Sequence, residues 1–256
     1  MLSAIPDPLR ILIALGLTGL LIMLRLEAQR FGTAEYDEPT DGRPPSLVRR
    51  LAWYIVGAVL VVAVFMFHPA PTSDLYLGSG VRGTTILFGL LYGLAGALQA
   101  VGYSWYRYGR VQLPEVRAYP GALVNDLVTA FLDEAIFRGA LLGFLILAGI
   151  GTLPALVIQA LVYVLATRAG APGRDPYMFA LAMAAGLVSG WVTIMTGGFV
   201  AAFFGHAVMR IAAFLVTGHA GHPAPKGAEV EEIERRRRPP DGWRVIPTRS
   251  QVTRDR

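Results

Sequence analysis

The sequence has no cysteine, which removes disulfide scaffolds, zinc fingers and thiol nucleophiles from consideration. It is also short of charge. Asp, Glu, Lys and Arg make up 16% of the 256 residues, where a soluble domain carries about 25%. Neither a G-x-x-x-x-G-K-S/T nor a G-x-G-x-x-G pattern occurs, so no nucleotide site is indicated. Internal repeats are missing too, which weakens an inverted-repeat transporter. What fills the chain is apolar: 54% of residues are hydrophobic and the mean hydropathy is +0.49. That balance excludes a soluble globule, a disordered chain and a coiled coil. The net charge of +5 looks like a nucleic-acid signal until the charges are placed. They lie between long apolar runs, where they report membrane orientation, and no nucleic-acid partner is expected.

A membrane helix needs about 20 mostly apolar residues. Spans are predicted near 9–26, 51–67, 84–103, 121–148, 153–167, 177–196 and 198–217, giving an all-α polytopic membrane bundle of about seven helices. Arg10 and Arg25 flank the first span like the n-region of a signal peptide, but no A-x-A-like cleavage site follows, so it is kept as a mature helix at 1–31. Cutting the fourth span at Arg138-Gly139 would give eight; charge decides against it. With seven, Arg30, Arg43, Arg49 and Arg50, then Arg107, Arg110 and Arg117, then Arg168 and Arg174, and finally Lys226 and 235–238 all fall on one side. The opposite side holds only Arg82. The positive-inside rule then predicts a plasma-membrane protein with its N-terminus outside and its C-terminus in the cytoplasm. Residues 32–50 form a cytoplasmic loop, 51–217 the main bundle, and 218–256 a basic, disordered cytoplasmic tail. In that tail Glu231/Arg235, Glu232/Arg236 and Glu234/Arg238 are i,i+4 pairs, suited to a short helix against anionic lipid or to a plain topology anchor. Gly89, Gly93 and Ala97, and Gly186 with Gly190, form small-residue packing seams.

Two spans carry what membranes tolerate least. The fourth holds Asp126, Asp133, Glu134 and Arg138, and the seventh His206 and Arg210. Each charge costs at least about 2.5–3.5 kcal/mol at membrane depth, so these groups must pair or line a wet cavity. Asp126 and Asp133, seven apart, share a helix face; Glu134 precedes Arg138 by four, the favourable order for an ion pair. Gln159, Tyr163 and Thr167 make a polar stripe on the fifth span, and Ser189, Thr193 and Thr196 a weaker one on the sixth. Four polar faces are enough to wall a small chamber that opens towards the cytoplasm.

The run Asp133-Glu134-Ala135-Ile136-Phe137-Arg138-Gly139 resembles the Glu-Glu-x-x-x-Arg motif of the CPBP family, the CAAX-protease and bacteriocin-processing intramembrane proteases also called the Abi family. The family's second motif, Phe-x-x-x-His, aligns with Tyr163 to Thr167, and its third, a His followed four residues later by Asn, aligns with His206 to Arg210. The resemblance covers roughly 118–217, and Glu134, Phe137, Arg138, Gly139 and His206 match directly. It implies hydrolysis of a membrane-anchored peptide from the cytoplasmic side. Asp133 or Glu134 would be the base, His206 the partner that orients water, and Arg210 the oxyanion donor, with Arg138 and Thr167 completing the motif positions.

Three departures alter that chemistry. Asp133 stands for a Glu and is a methylene shorter; a misplacement of about 1 Å can cost about 10²-fold. Thr167 stands for a His, and a hydroxyl is neither a base at neutral pH nor a good zinc ligand. Arg210 stands for an Asn and would repel a cation. If a divalent metal such as zinc were bound, Asp133, Glu134 and His206 would be its candidate ligands; the expectation is that none is. Two alternatives stand beside an altered intramembrane endopeptidase: a non-catalytic scaffold that keeps the chamber to bind a peptide or membrane protein, and a proton-coupled carrier using Asp126, Asp133 and His206 as a relay.

Overall fold

The computed structural model describes residues 5–31, 47–108, 112–114, 120–167, 176–217 and 243–245. The predicted loop at 32–46, the Arg-bearing gap at 168–175 and the charge pairs of the tail lie outside these residues. Nearly everything described is helical: α1 (Asp7–Leu26), α2 (Leu47–Phe67), the single turn α3 (Pro71–Asp74), α4 (Arg82–Tyr108), α5 (Pro120–Asp133), a π-helical segment (Glu134–Leu141), α6 (Leu142–Leu147), α7 (Thr152–Ala166), α8 (Pro176–Thr196) and α9 (Val200–Thr217). The junctions at Asp133 and Leu142 keep helical backbone angles, so α5, the π segment and α6 form one continuous rod. Seven rods therefore stand where seven spans are expected, and the fourth is not cut at Arg138-Gly139.

Four rods, α1, α2, α4 and most of α8, are long and apolar enough to cross a membrane on those grounds alone; α7 and α9 are apolar but shorter. Leu12, Met23, Val59, Leu90 and Leu98 are exposed on the outside of the rods, as lipid contact requires. The chain is an all-α integral membrane bundle. The one strand pairing among the described residues is a ribbon. β1 (Gln112–Pro114) pairs antiparallel with β2 (Trp243–Val245), so the segment expected to be a disordered tail is fastened back at those three residues.

Glycine sets the geometry at the hairpins. Gly149 takes φ 80°, and the Gly149 and Ile150 amides donate to the Ile146 and Leu145 carbonyls, which closes α6 with a Schellman cap. Gly197, at φ 73°, ends α8 in the same left-handed region and lets α9 begin three residues later. These tight links set α7 and α9 beside the fourth rod.

Glycine also sets the seams. α4 packs along α9 through Gly89, Gly93 and Gly96; a Cβ at Gly96 would lie 2.6 Å from the Cβ of Met209. Gly96 joins Gly89 and Gly93 in that ridge. From the other side, Gly205 of α9 lies directly against the Tyr92 ring, leaving no room for a methyl group. Gly205→Ala is therefore expected to destabilise the bundle by about 1–3 kcal/mol through overpacking. An unchanged unfolding midpoint in detergent would show that this seam is loose.

One end of the bundle is closed. The segment after α2 turns inward, so that Leu75 is fully buried and Leu77 nearly so. The Val81 amide donates to the Thr196 carbonyl and the Phe199 amide to the Tyr76 carbonyl. Gly139 and Gly143 make room for this plug: a Cβ at Gly143 would sit 2.5 Å from the Asp74 carbonyl oxygen.

Candidate active site

The fourth rod changes its winding where its charges are. A π-helical stretch of eight residues, from Glu134 to Leu141, is long for a form that elsewhere appears as single-turn bulges, often at functional sites. It buries Glu134 and Arg138 completely, along with Phe137 between them in sequence. The expected Glu134–Arg138 ion pair is present, with Nε 3.3 Å from Oε2. Arg138 also sits over the Tyr163 ring, its guanidinium carbon 4.2 Å from the centroid, a cation–π contact. Gly186 of α8 lets α7 approach closely behind Tyr163, since a Cβ there would come within 2.9 Å of the Ala160 Cβ.

Glu134 is the hub. Its Oε1 accepts a hydrogen bond from Ser189 Oγ at 3.1 Å and lies 2.6 Å from Nδ1 of His206. Nε2 of the same imidazole lies 3.4 Å from the Tyr163 hydroxyl. A carboxylate on Nδ1 fixes the tautomer: the proton sits on Nδ1, and the lone pair of Nε2 points towards Tyr163. Four elements thus meet at one point: the π segment, α7, α8 and α9.

Asp133 has a partner that the sequence pattern did not single out. Arg25, in the last turn of α1, is 95% buried by side-chain area and forks onto both Asp133 oxygens, Nε to Oδ1 at 2.5 Å and NH2 to Oδ2 at 3.2 Å. The sequence places Arg25 as a charge flanking the first span; the structure takes it into the core. The reason is charge balance. Asp133 has no exposed surface, and an ionised carboxylate there requires a cation. The signal available in the sequence was Arg25 itself, within a turn of the end of an apolar span.

Arg210 is committed as well. Its NH2 donates to Asp126 Oδ1 at 2.9 Å, one helix turn and more from His206 along α9. Asp133 lies within charge–charge range of both His206 and Arg210, so the two ends of the cluster feel each other. Thr167 stands apart. It ends α7, is only half-buried, and its hydroxyl donates back to the Tyr163 and Val164 carbonyls of its own helix at 2.9 and 3.1 Å. Of the predicted polar stripe, Gln159 and Tyr163 are buried, and Gln159 Nε2 donates across to the Gly186 carbonyl at 2.8 Å. The structure therefore brings Glu134, Arg138, Tyr163, Ser189 and His206 together, holds Asp133 and Arg210 in separate ion pairs beside them, and leaves Thr167 on its own helix.

Three carboxylates face three guanidiniums in this cluster, with the His206 imidazole and the Tyr163 phenol beside them. The donor set suits a metal poorly. Asp133 spends both oxygens on Arg25 and Glu134 shares its own among Ser189, His206 and Arg138, with Arg210 nearby to repel a cation. Among the described residues no three His, Asp or Glu side chains group as a metal set.

Residues 116–212 match the family model described as Rce1-like, type II CAAX prenyl endopeptidase Rce1-like. The match opens just before α5 and closes within α9, and so takes in every residue of the cluster except Arg25. No curated protein and no solved structure matches the chain.

Proposed function

We propose that this chain, which belongs through residues 116–212 to the CPBP family of CAAX-protease-like membrane endopeptidases, acts on membrane-anchored peptides through a centre reduced to Glu134 and His206. The observation that carries this reading is the 2.6 Å contact between Glu134 and Nδ1 of His206. It is the one carboxylate–imidazole pair in the cluster, whereas Asp133 and Arg210 are occupied by Arg25 and Asp126.

Chemically, Glu134 would hold the imidazole by its Nδ1 proton and leave the lone pair of Nε2 free to accept one. Water taking the place of the Tyr163 hydroxyl at Nε2 would give up a proton there while its oxygen attacks the peptide carbonyl. The tetrahedral oxyanion then needs a positive partner, and the Arg138 guanidinium over Tyr163, whose nitrogens make no hydrogen bond, can supply it. On collapse, the proton on Nε2 passes to the leaving amine and the C–N bond breaks. Lacking an imidazole at position 167, this centre has one base where the resembled family has more, so turnover is slow. No step requires a metal.

The test is hydrolysis of lipid-anchored, internally quenched peptides by the purified protein in proteoliposomes. Weak turnover is expected, reduced by at least about 10²-fold in Glu134→Gln and in His206→Ala, the usual size of a general-base contribution. Turnover that survives both changes places the chemistry elsewhere. A second reading, binding without cleavage, is favoured by the burial of the whole cluster: Asp133, Glu134 and Arg138 have no exposed surface. Saturable peptide binding with no hydrolysis at any pH would select it.

The reading also fixes a side. Substrate would enter from the face opposite the plug, which the distribution of Arg residues makes cytoplasmic, and the bilayer is the plasma membrane. Because the chain has no cysteine, the side is directly measurable. Ser73→Cys, in the exposed turn α3, is expected to react with an impermeant thiol reagent on intact cells. Labelling only after the membrane is permeabilised would invert the orientation.

A further inference from the structure

A peptide reaches this cluster only if an element moves, because His206 and its neighbours Glu134, Ser189 and Tyr163 are all buried. The elements differ in how firmly they are held. α9 lies in the glycine seam of α4, and α8 presses on α7 at Gly186 and Gly190, where a Cβ would come within 2.9 Å of Ala160 and 2.7 Å of Leu156. The plug is tied by backbone hydrogen bonds at Val81 and Phe199. α1 is different. Its buried side is a single row, Ala14, Thr18, Leu21 and Arg25, and the Thr18 hydroxyl bonds only the Ala14 carbonyl of its own helix. Trp53 ties the Leu24 carbonyl to α2, away from the cluster. The polar bond that joins α1 to the site is the fork of Arg25 on Asp133.

We infer that Asp133 is a receptor for a cationic group of the incoming peptide, and that Arg25 occupies this seat while α1 is docked. The argument is one of charge. A carboxylate closed off from water either keeps a cationic partner or takes up a proton, so Asp133 stays ionised when α1 leaves only if another cation takes the place of Arg25. The group that displaces Arg25 must therefore be an Arg or Lys side chain or a free amine. The planar fork already present favours a guanidinium, which alone reproduces both bonds. Asp133 then contributes peptide selectivity where Glu134 and His206 contribute chemistry, and α1, which lies outside the matched region, becomes the gate on the lipid-facing side. This inference rests on the proposed peptide substrate, but the cation seat can be tested without one.

Two measurements on the full chain in nanodiscs decide it. In the first, lipid-anchored fluorescent peptides that differ at a single position, Arg, Lys or citrulline, are titrated onto the natural protein and onto Arg25→Ala, Arg25→Lys and Asp133→Asn, with that position walked along the peptide. Arg25→Ala is expected to prefer the best Arg peptide over its citrulline twin by roughly 30-fold, the lower end for a buried hydrogen-bonded charge pair. The natural protein and Arg25→Lys should show the same preference at lower affinity, and Asp133→Asn none. In the second, Arg25→Ala is treated with dicyclohexylcarbodiimide with and without methylguanidinium, and modification of Asp133 is read by mass spectrometry. Methylguanidinium should protect Asp133, and the natural protein should be protected without it. Peptides that bind with no preference for Arg leave the proposed function standing and overturn this inference. Protection by methylguanidinium with no peptide binding keeps the cation seat and overturns the proposed function. Absence of both protection and preference overturns the seat itself.

Discussion

Arg25→Ala is expected to destabilise the bundle by about 3–5 kcal/mol, and adding Asp133→Leu to the same chain to recover most of that loss. The single change removes one side of a pair in which the carboxylate has no exposed surface. Asp133 must then either stay charged without a partner or take up a proton and keep unpaired polar atoms, and both are costly in a site closed to water. The double change removes the second charge along with the first and leaves an apolar contact between α1 and the fourth rod. Replacing a buried ion pair by hydrophobic groups is often neutral or stabilising, which is why recovery is expected and not merely a smaller loss. The measurement is a double-mutant cycle on unfolding in mixed micelles. Two single losses that simply add in the double variant would mean that the fork does not exist in the membrane-embedded protein. The cycle also separates the ion pair from the packing of α1, because Leu21 and Ala14 are unchanged throughout.

The rods were legible in the sequence because a bilayer imposes one requirement on every span, about 20 apolar residues with backbone bonds satisfied within the helix. The fourth rod was the instructive case. Its charges disqualify it as an apolar run, yet Asp126, Asp133, Glu134 and Arg138 drew attention to it for that reason, and the Glu134–Arg138 pair follows from its spacing. What spacing could not supply was the partner of each remaining charge. Arg210 shares a face with His206 but pairs with Asp126, and Asp133 pairs across the bundle with a residue 108 positions earlier in the chain. Long-range pairings depend on which helices become neighbours, and one sequence carries no record of that. The π winding was equally hidden: nothing in Glu134 to Leu141 violates an α-helical pattern, and the segment that changes winding is the one whose Gly139 packs against the plug. Thr167 fails for a local reason. A Thr in the last turn of a helix satisfies its hydroxyl on a carbonyl four residues back, so it had no need of the cluster.

Those pairings decide how the resembled motif would have to be rebuilt. A chain carrying Thr167→His, Asp133→Glu with Arg25→Leu, and Arg210→Asn with Asp126→Asn is expected to hydrolyse lipid-anchored peptides at least about 10²-fold faster than the natural protein, the lower end of what a positioned acid–base group supplies. The paired design follows from the structure. Arg210→Asn alone strands the Asp126 carboxylate, of which 3% of the side chain is exposed, and Asp133→Glu alone pushes a longer side chain into a fork already at 2.5 Å. Each single change therefore costs stability before it can add activity; the Arg210–Asp126 replacement removes one charge of each sign, whereas freeing the carboxylate at position 133 from Arg25 carries the cost of an unpaired buried charge, and only the combination places that free carboxylate and a second imidazole beside His206. Position 167 lies one helical turn beyond Tyr163, whose hydroxyl already faces Nε2 of His206, so an imidazole there extends the same face of α7. The comparison is kcat/KM of the natural and rebuilt proteins in proteoliposomes, with Glu134→Gln added to each. If the rebuilt protein folds with the same unfolding midpoint and cleaves no faster, the missing imidazole and the two occupied carboxylates are not what limits this centre. The closure of the bundle around Glu134 would then be the barrier that remains.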